Sequence, residues 1–222
     1  GLNRMISPSL NIRNFFQLAN ELEMTWVELR NDLPGKKLLD YFTAQEIRYL
    51  AQRYHIRIYS INALQQFNNL AEIEKIKQEL KRLLYIAQEI ECKSIILCPM
   101  NTEDDERSSE KQILDSVNAL HEFLPLFRES GISGFIEPLG FTTSSLSSVL
   151  MAVEIIKEVG YEGYKIVYDT FHHAIGPDNL EILTRDYDVS FTGLVHVSSV
   201  TADIPPVEFR DEHRNMDFTG DK

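Results

Sequence analysis

The chain has 222 residues, 43% hydrophobic and 25% charged, with a formal net charge of −12. That length can bury a core without disulfide or metal staples. The acidic balance and scattered Lys and Arg argue against nucleic acid, whose phosphates call for clustered basic residues, and no apolar run approaches the ~20 residues of a membrane span.

Cys92 and Cys98 are the only cysteines. Their spacing forms neither a CxxC pair nor a zinc pattern. They are expected to be reduced thiols at the fringe of a core, which fits a cytoplasmic setting. The start, "GLNRMISPSL", carries no apolar stretch of signal-peptide length.

Along the chain, short apolar runs alternate with helical patterns. "RMIS" (4–7) is the expected first strand, before a helix over 11–23. "MTWVEL" (24–29) is the second strand and ends at the turn-rich "RNDLPGK". Thr43 and Glu46 have capping-box spacing and open a helix over 43–55. "IRIYSIN" (56–62) is the third strand. Leu70, Ile73, Ile76, Leu80, Leu83, Leu84, Ala87 and Ile90 recur at helical spacing over 69–91. "SIILC" (94–98) is a continuous apolar run, as a strand covered on both faces requires. "NTEDDERSSE" (101–110) reads as a solvated acidic loop. A helix over 110–129 follows, with a kink expected at Pro125. Then come "GFIE" (134–137), a helix over 145–159, "KIVYD" (165–169), a weaker helix near 178–186, and "FTGLVHV" (191–197). "TADIPPVEFRDEHR" (201–214) reads as a long loop after the seventh strand.

Seven strands alternating with six helices predict an α/β fold with a parallel sheet. GxGxxG and GxxxxGK[ST] are both absent, which disfavours a nucleotide-binding doubly wound sheet. A (β/α)8 TIM barrel fits better. Residues 1–222 then form a single barrel domain that lacks the last βα unit.

Three late strands end on metal-compatible side chains: Glu137, Asp169 and His196. The intervals of 32 and 27 residues are each one βα unit, and a parallel barrel brings equivalent strand ends together at its C-terminal face. A strand-terminal Asp is often only a cap, and a lone His in an apolar strand is often a core residue. The regular spacing of all three favours a divalent metal site of oxygen and nitrogen ligands, for Mn²⁺, Co²⁺, Zn²⁺ or Mg²⁺. His172, three residues past Asp169, is expected in a loop, where it can reach a substrate oxygen; His173 is a weaker candidate. In "EPLGF", Pro138 stops the strand after Glu137 and Gly140 allows a tight turn. Arg214 in "DEHR" can clamp an anion or hydroxyl over the mouth. Glu28, Arg30 and Asn62 stand at the ends of the second and third strands and can line the pocket.

The segments "VELRND", "INALQQFNN", "GFIEPLGF", "YKIVYDTFHHAIG", "GLVHVSSV" and "DEHR", in that order, resemble the xylose-isomerase-like TIM barrels. Within that family they look most like the myo-inositol-catabolism branch. The resemblance implies a divalent ion held by Glu, Asp, His and a second Glu, the first three matching Glu137, Asp169 and His196. It also implies substrate contacts from His172 and Arg214. It implies an isomerase or epimerase that moves a proton next to a carbonyl of a sugar or inosose-type keto-polyol, with Glu137 as one catalytic carboxylate. Inosose dehydration is a neighbouring chemistry, and a non-catalytic sugar-binding barrel is the alternative if the second Glu is absent. Abasic-site endonucleases share the fold but need a basic DNA-facing surface, which this acidic chain lacks. The family's last Glu lies on strand eight, beyond Lys222, so a longer parent chain is expected. A homodimer covering the open barrel edge is a further expectation.

Overall fold

A computed structural model describes residues 1–200 and 204–215. Its main sheet has seven parallel strands in chain order: β1 (Leu2–Asn3), β2 (Trp26–Arg30), β3 (Arg57–Leu64), β4 (Ser94–Leu97), β5 (Ser133–Ile136), β6 (Tyr164–Asp169) and β7 (Thr192–His196). Helices α1 (Ile12–Glu21), α2 (Ala44–Arg53), α3 (Ile73–Glu89), α4 (Ser109–Ser130) and α5 (Val149–Val159) fill the first five crossovers, and α6 (Thr170–Ile175) and α7 (Leu180–Asp186) share the sixth. This is a TIM-barrel sheet short of its last βα unit, with β1 and β7 as its edges among the described residues. None of the described helices is long and apolar enough to cross a membrane.

Local chemistry sets the helix ends. Thr43 and Glu46 form the capping box of α2, satisfying backbone N–H groups that the first turn leaves free. Ser108 and Ser148 cap α4 and α5, and Gly131 and Gly160, both left-handed, end them, as residues without a Cβ do at little cost. Helix α4 runs through Pro125 as one element.

Strand alternation sorts the side chains. Val27, Leu29, Ile95, Leu97, Ile136 and Ile166 pack outward into one core with the helices. Ile96, Cys98, Phe135 and Val167 pack with Tyr59, Leu139 and Leu194 in a second cluster inside the barrel. The Tyr59 hydroxyl donates to the Gly193 carbonyl at 2.7 Å, joining β3 to β7 across that interior. Because side chains on a strand repeat their direction every two residues, the residue two beyond each interior apolar group also faces inward. Phe135 is thus followed by Glu137, Val167 by Asp169, and Leu194 by His196.

Several sequence expectations need correction. The first strand is Leu2–Asn3, and residues 4–6 form a 3-10 turn instead. The Asn3 side chain accepts from the Met5 amide and bends the chain there. Arg4 turns into the core, where its guanidinium meets both carboxylate oxygens of Asp40 at 2.8 Å. The helix expected from 145 begins at Val149, because Asp178 takes up the Val149 amide and the Ser148 hydroxyl. The acidic loop is only partly solvated: Arg107 donates to Asp105, to Asp115 and to the Asn68 carbonyl. The cysteines are free and lie in the core rather than at its fringe. The stretch after β7 folds back on itself, β8 (Ser199–Val200) pairing antiparallel with β9 (Arg214–Asn215); residues 201–203 of that expected loop lie outside the described residues.

Candidate active site

The C-terminal ends of the strands gather an unusual set of buried polar groups. Glu28, Asn62, Glu137, Asp169 and His172 are all buried. Asp169 pairs with His196 in the β6–β7 register, so carboxylate and imidazole emerge side by side.

His196 is the hub. Its Nδ1 lies 2.8 Å from Glu137 Oε1 and 3.7 Å from Asp169 Oδ2, and its Nε2 lies 3.1 Å from Glu28 Oε2. Burial disfavours the charged ring, but Glu137 and Glu28 outweigh it and raise its pKa well above the usual value. Glu137 is the counterpart: burial works against its charge, and His196 overrides it, so its pKa is lowered. The same contest ends with Asp169 well below the usual carboxylate range, through His196 and Arg214 acting against burial.

Asp169 does two jobs. Its Oδ1 accepts from the amides of Phe171 (2.8 Å) and His172 (3.4 Å), capping α6. Its Oδ2 accepts from Arg214 Nη1 at 2.6 Å. His172 therefore sits in a short helix, not the expected loop, because the strand-ending carboxylate nucleates the turn that carries it. Its ring packs edge-on against Phe141, and Nδ1 accepts from the Gly140 amide at 3.2 Å. Burial, ahead of the opposing Asp169 and Glu137 charges, lowers its pKa. A neutral ring that accepts at Nδ1 carries its proton on Nε2, which here lies 3.3 Å from Arg214 Nη2. Arg214 also stacks over the Phe171 ring, 4.4 Å from its centroid. Two donors thus stand together beside Asp169.

Glu137, Asp169 and His172 each offer a ligand atom, the three lying within 4.8 Å of one another, and His196 touches the same two carboxylates. Asn62 spends its amide on Glu28 Oε1 (3.2 Å) and Glu137 Oε2 (3.5 Å). Arg30 is forked onto Asp32 and stays charged despite burial. His173 is half-buried, and its Nδ1 has no hydrogen-bond partner among the described residues. Sequence reasoning passed over Asn3 and Ser60, read Gly140 only as a tight-turn residue, and placed Cys98 at a fringe although its Sγ lies 3.7 Å from Glu137 Oε2. The interior phase that marks Glu137 also marks Cys98, two residues after Ile96; nothing in the sequence marks Asn3 or Ser60.

A family model described as "Xylose isomerase-like TIM barrel" matches residues 16–220. The chain belongs to the xylose isomerase-like TIM barrel family. Within and around this family it is similar to an inosose isomerase of Halalkalibacterium halodurans, with 28% identity over 192 residues covering 85% of this chain and 67% of that protein. It is also similar to the crystal structure of a xylose isomerase domain containing protein from Salmonella typhimurium LT2. That match has a TM-score of 0.89 and 36% identity, over 97% of this chain and 76% of the other. The IolI protein, whose structure holds a zinc atom, matches with a TM-score of 0.87 at 22% identity, over 96% of this chain and 77% of that one; that likeness is one of fold.

Proposed function

We propose that this barrel is a divalent-metal-dependent isomerase or epimerase that moves a proton next to a carbonyl of a sugar or inosose-type keto-polyol. The observation that carries the reading is the convergence of Glu137, Asp169 and His196 at adjacent strand ends, with His172 and Arg214 beside them. The naming of the Halalkalibacterium and Bacillus velezensis relatives as inosose isomerases supports the substrate class.

The donor set fits a divalent cation. Three buried carboxylates, Glu28, Glu137 and Asp169, stand with the His196 and His172 rings and the Arg214 guanidinium, a set rich in carboxylate where water cannot screen it. Oxygen and imidazole ligands suit Mn²⁺, Co²⁺, Zn²⁺ or Mg²⁺. Glu137, Asp169 and His196 would hold the ion, which when bound supplies Lewis acidity to a carbonyl and its neighbouring hydroxyl.

The chain's own groups do the rest. Glu137, kept as a carboxylate, accepts the proton next to the carbonyl as general base. His172 Nε2 and the Arg214 guanidinium donate to substrate oxygens at the rim. Asn62 steadies Glu137 from the β3 side. The apolar floor of Ile96, Phe135, Val167 and Leu194 keeps water from reaching the carboxylates from below.

Two measurements test this. Metal content is expected to fall in Glu137→Ala, Asp169→Ala and His196→Ala, and undiminished occupancy in all three overturns the metal centre. Metal-loaded wild type is expected to carry solvent deuterium into the carbon next to the carbonyl of inosose or a ketohexose. Failure to label either overturns the proton-transfer reading.

A further inference from the structure

We propose that Glu28 is a positioning residue that orients His196 for metal binding through Nδ1; this rests on the metal reading above. Glu28 lies on β2 and His196 on β7, 168 residues apart in sequence, yet Glu28 Oε2 meets His196 Nε2 at 3.1 Å. The other ring nitrogen, Nδ1, faces Glu137 and Asp169. With Nε2–H held by Glu28, Nδ1 is the ring nitrogen that would give up its proton to a bound ion, beside the two carboxylates. Carboxylate partners of this kind set the orientation and tautomer of metal-binding histidines.

The environment of Glu28 separates this role from ligation. Its Oε1 accepts from Asn3 Nδ2 (2.5 Å) and Asn62 Nδ2 (3.2 Å), and its Oε2 from Ser60 Oγ (2.6 Å) and His196 Nε2 (3.1 Å). An ionised carboxylate has about four acceptor sites, and these four donors fill them. Glu137 is different. Apart from His196, its hydrogen-bonding neighbours among the described residues are an amide at 3.5 Å and a thiol at 3.7 Å, both on Oε2, which leaves acceptor capacity free. Saturated and 6% exposed, Glu28 is built to hold a neighbour still.

The test is Zn²⁺ affinity of the metal-stripped chain, measured by chelator competition in wild type, Glu28→Gln and Ser60→Ala, together with the melting temperature of each stripped protein. Ser60→Ala loosens Glu28 without touching either ring, and it carries the test if Glu28→Gln does not fold. Glu28→Gln is expected to bind Zn²⁺ about 10–100-fold more weakly, and Ser60→Ala to shift the same way by less. In ¹⁵N spectra of the Zn²⁺-loaded wild type, the His196 ring is expected to show a protonated Nε2 and a metal-bound Nδ1. Unchanged affinity in the folded variants, with or without a lowered melting temperature, reduces Glu28 to a structural tether and overturns the proposal. So does a metal-bound Nε2. Absence of Zn²⁺ binding by wild type would overturn the metal reading and this proposal together, whereas wild-type binding with indifferent variants overturns this one alone.

Discussion

Asp169 shows how one side chain can serve fold and site together. Its Oδ1 caps α6, and its Oδ2 faces Arg214 and His196. The two roles separate by substitution. Asparagine caps helices about as well as aspartate but brings no charge to the site. Asp169→Asn is therefore expected to lose bound metal while keeping α6. Asp169→Ala is expected to lose the metal and cost about 1 kcal/mol more for the missing cap. Metal analysis and urea unfolding of the two variants check this; equal stabilities would show that the cap contributes nothing.

At the scale of elements, the site depends on how the β5–α5 loop docks against α6. Gly140 donates its amide to His172 Nδ1. A Cβ at Gly140 would stand 2.0 Å from the His172 carbonyl oxygen and 2.9 Å from the Gly176 amide. Neither backbone atom can yield without moving α6. Gly140→Ala is expected to destabilise the protein by about 1–3 kcal/mol, as overpacking does, and to displace His172. Thermal unfolding together with the chemical shifts of the His172 ring reads both effects. The helix itself was hard to foresee: it spans six residues, and "TFHHAI" has no apolar periodicity to mark it. It forms because Asp169 ends the strand with a capping oxygen and because Gly140 leaves room for the His172 carbonyl. The first strand escaped for a similar reason. Arg4 heads a segment that looks extended and apolar, but its guanidinium is drawn to Asp40, 36 residues on, and the Asn3 side chain turns the backbone to allow it.

At the scale of the molecule, the two larger clusters of buried apolar groups are a helix-facing shell and an interior plug, and each shields one cysteine. Burial pushes the Cys92 thiol up to about 12, and burial, aided by the Glu137 charge, raises Cys98 well above its usual range. Thiolate is the reactive form, so both thiols are expected to resist a disulfide exchange reagent at neutral pH until the protein unfolds. Labelling rates in the presence and absence of urea check this. Rapid labelling of Cys98 in the folded protein would show that the barrel interior opens beside Glu137. Val195 on the outer face of β7 is 49% exposed and Val197, just past its end, 57%, in contrast to the fully covered β4.

The alternation of strands and helices and the arrival of Glu137, Asp169 and His196 at equivalent strand ends follow from local pattern. Period-two alternation and βα spacing are properties of short segments, and each segment carries them whatever its neighbours do. Which imidazole nitrogen faces which carboxylate is of another kind. The Glu28–His196 contact, the saturation of Glu28 by Asn3, Ser60 and Asn62, and the pairing of Arg214 with Asp169 join residues that no local period relates. They depend on how far the sheet curves and on which rotamers the packed interior permits, and only the assembled barrel decides those.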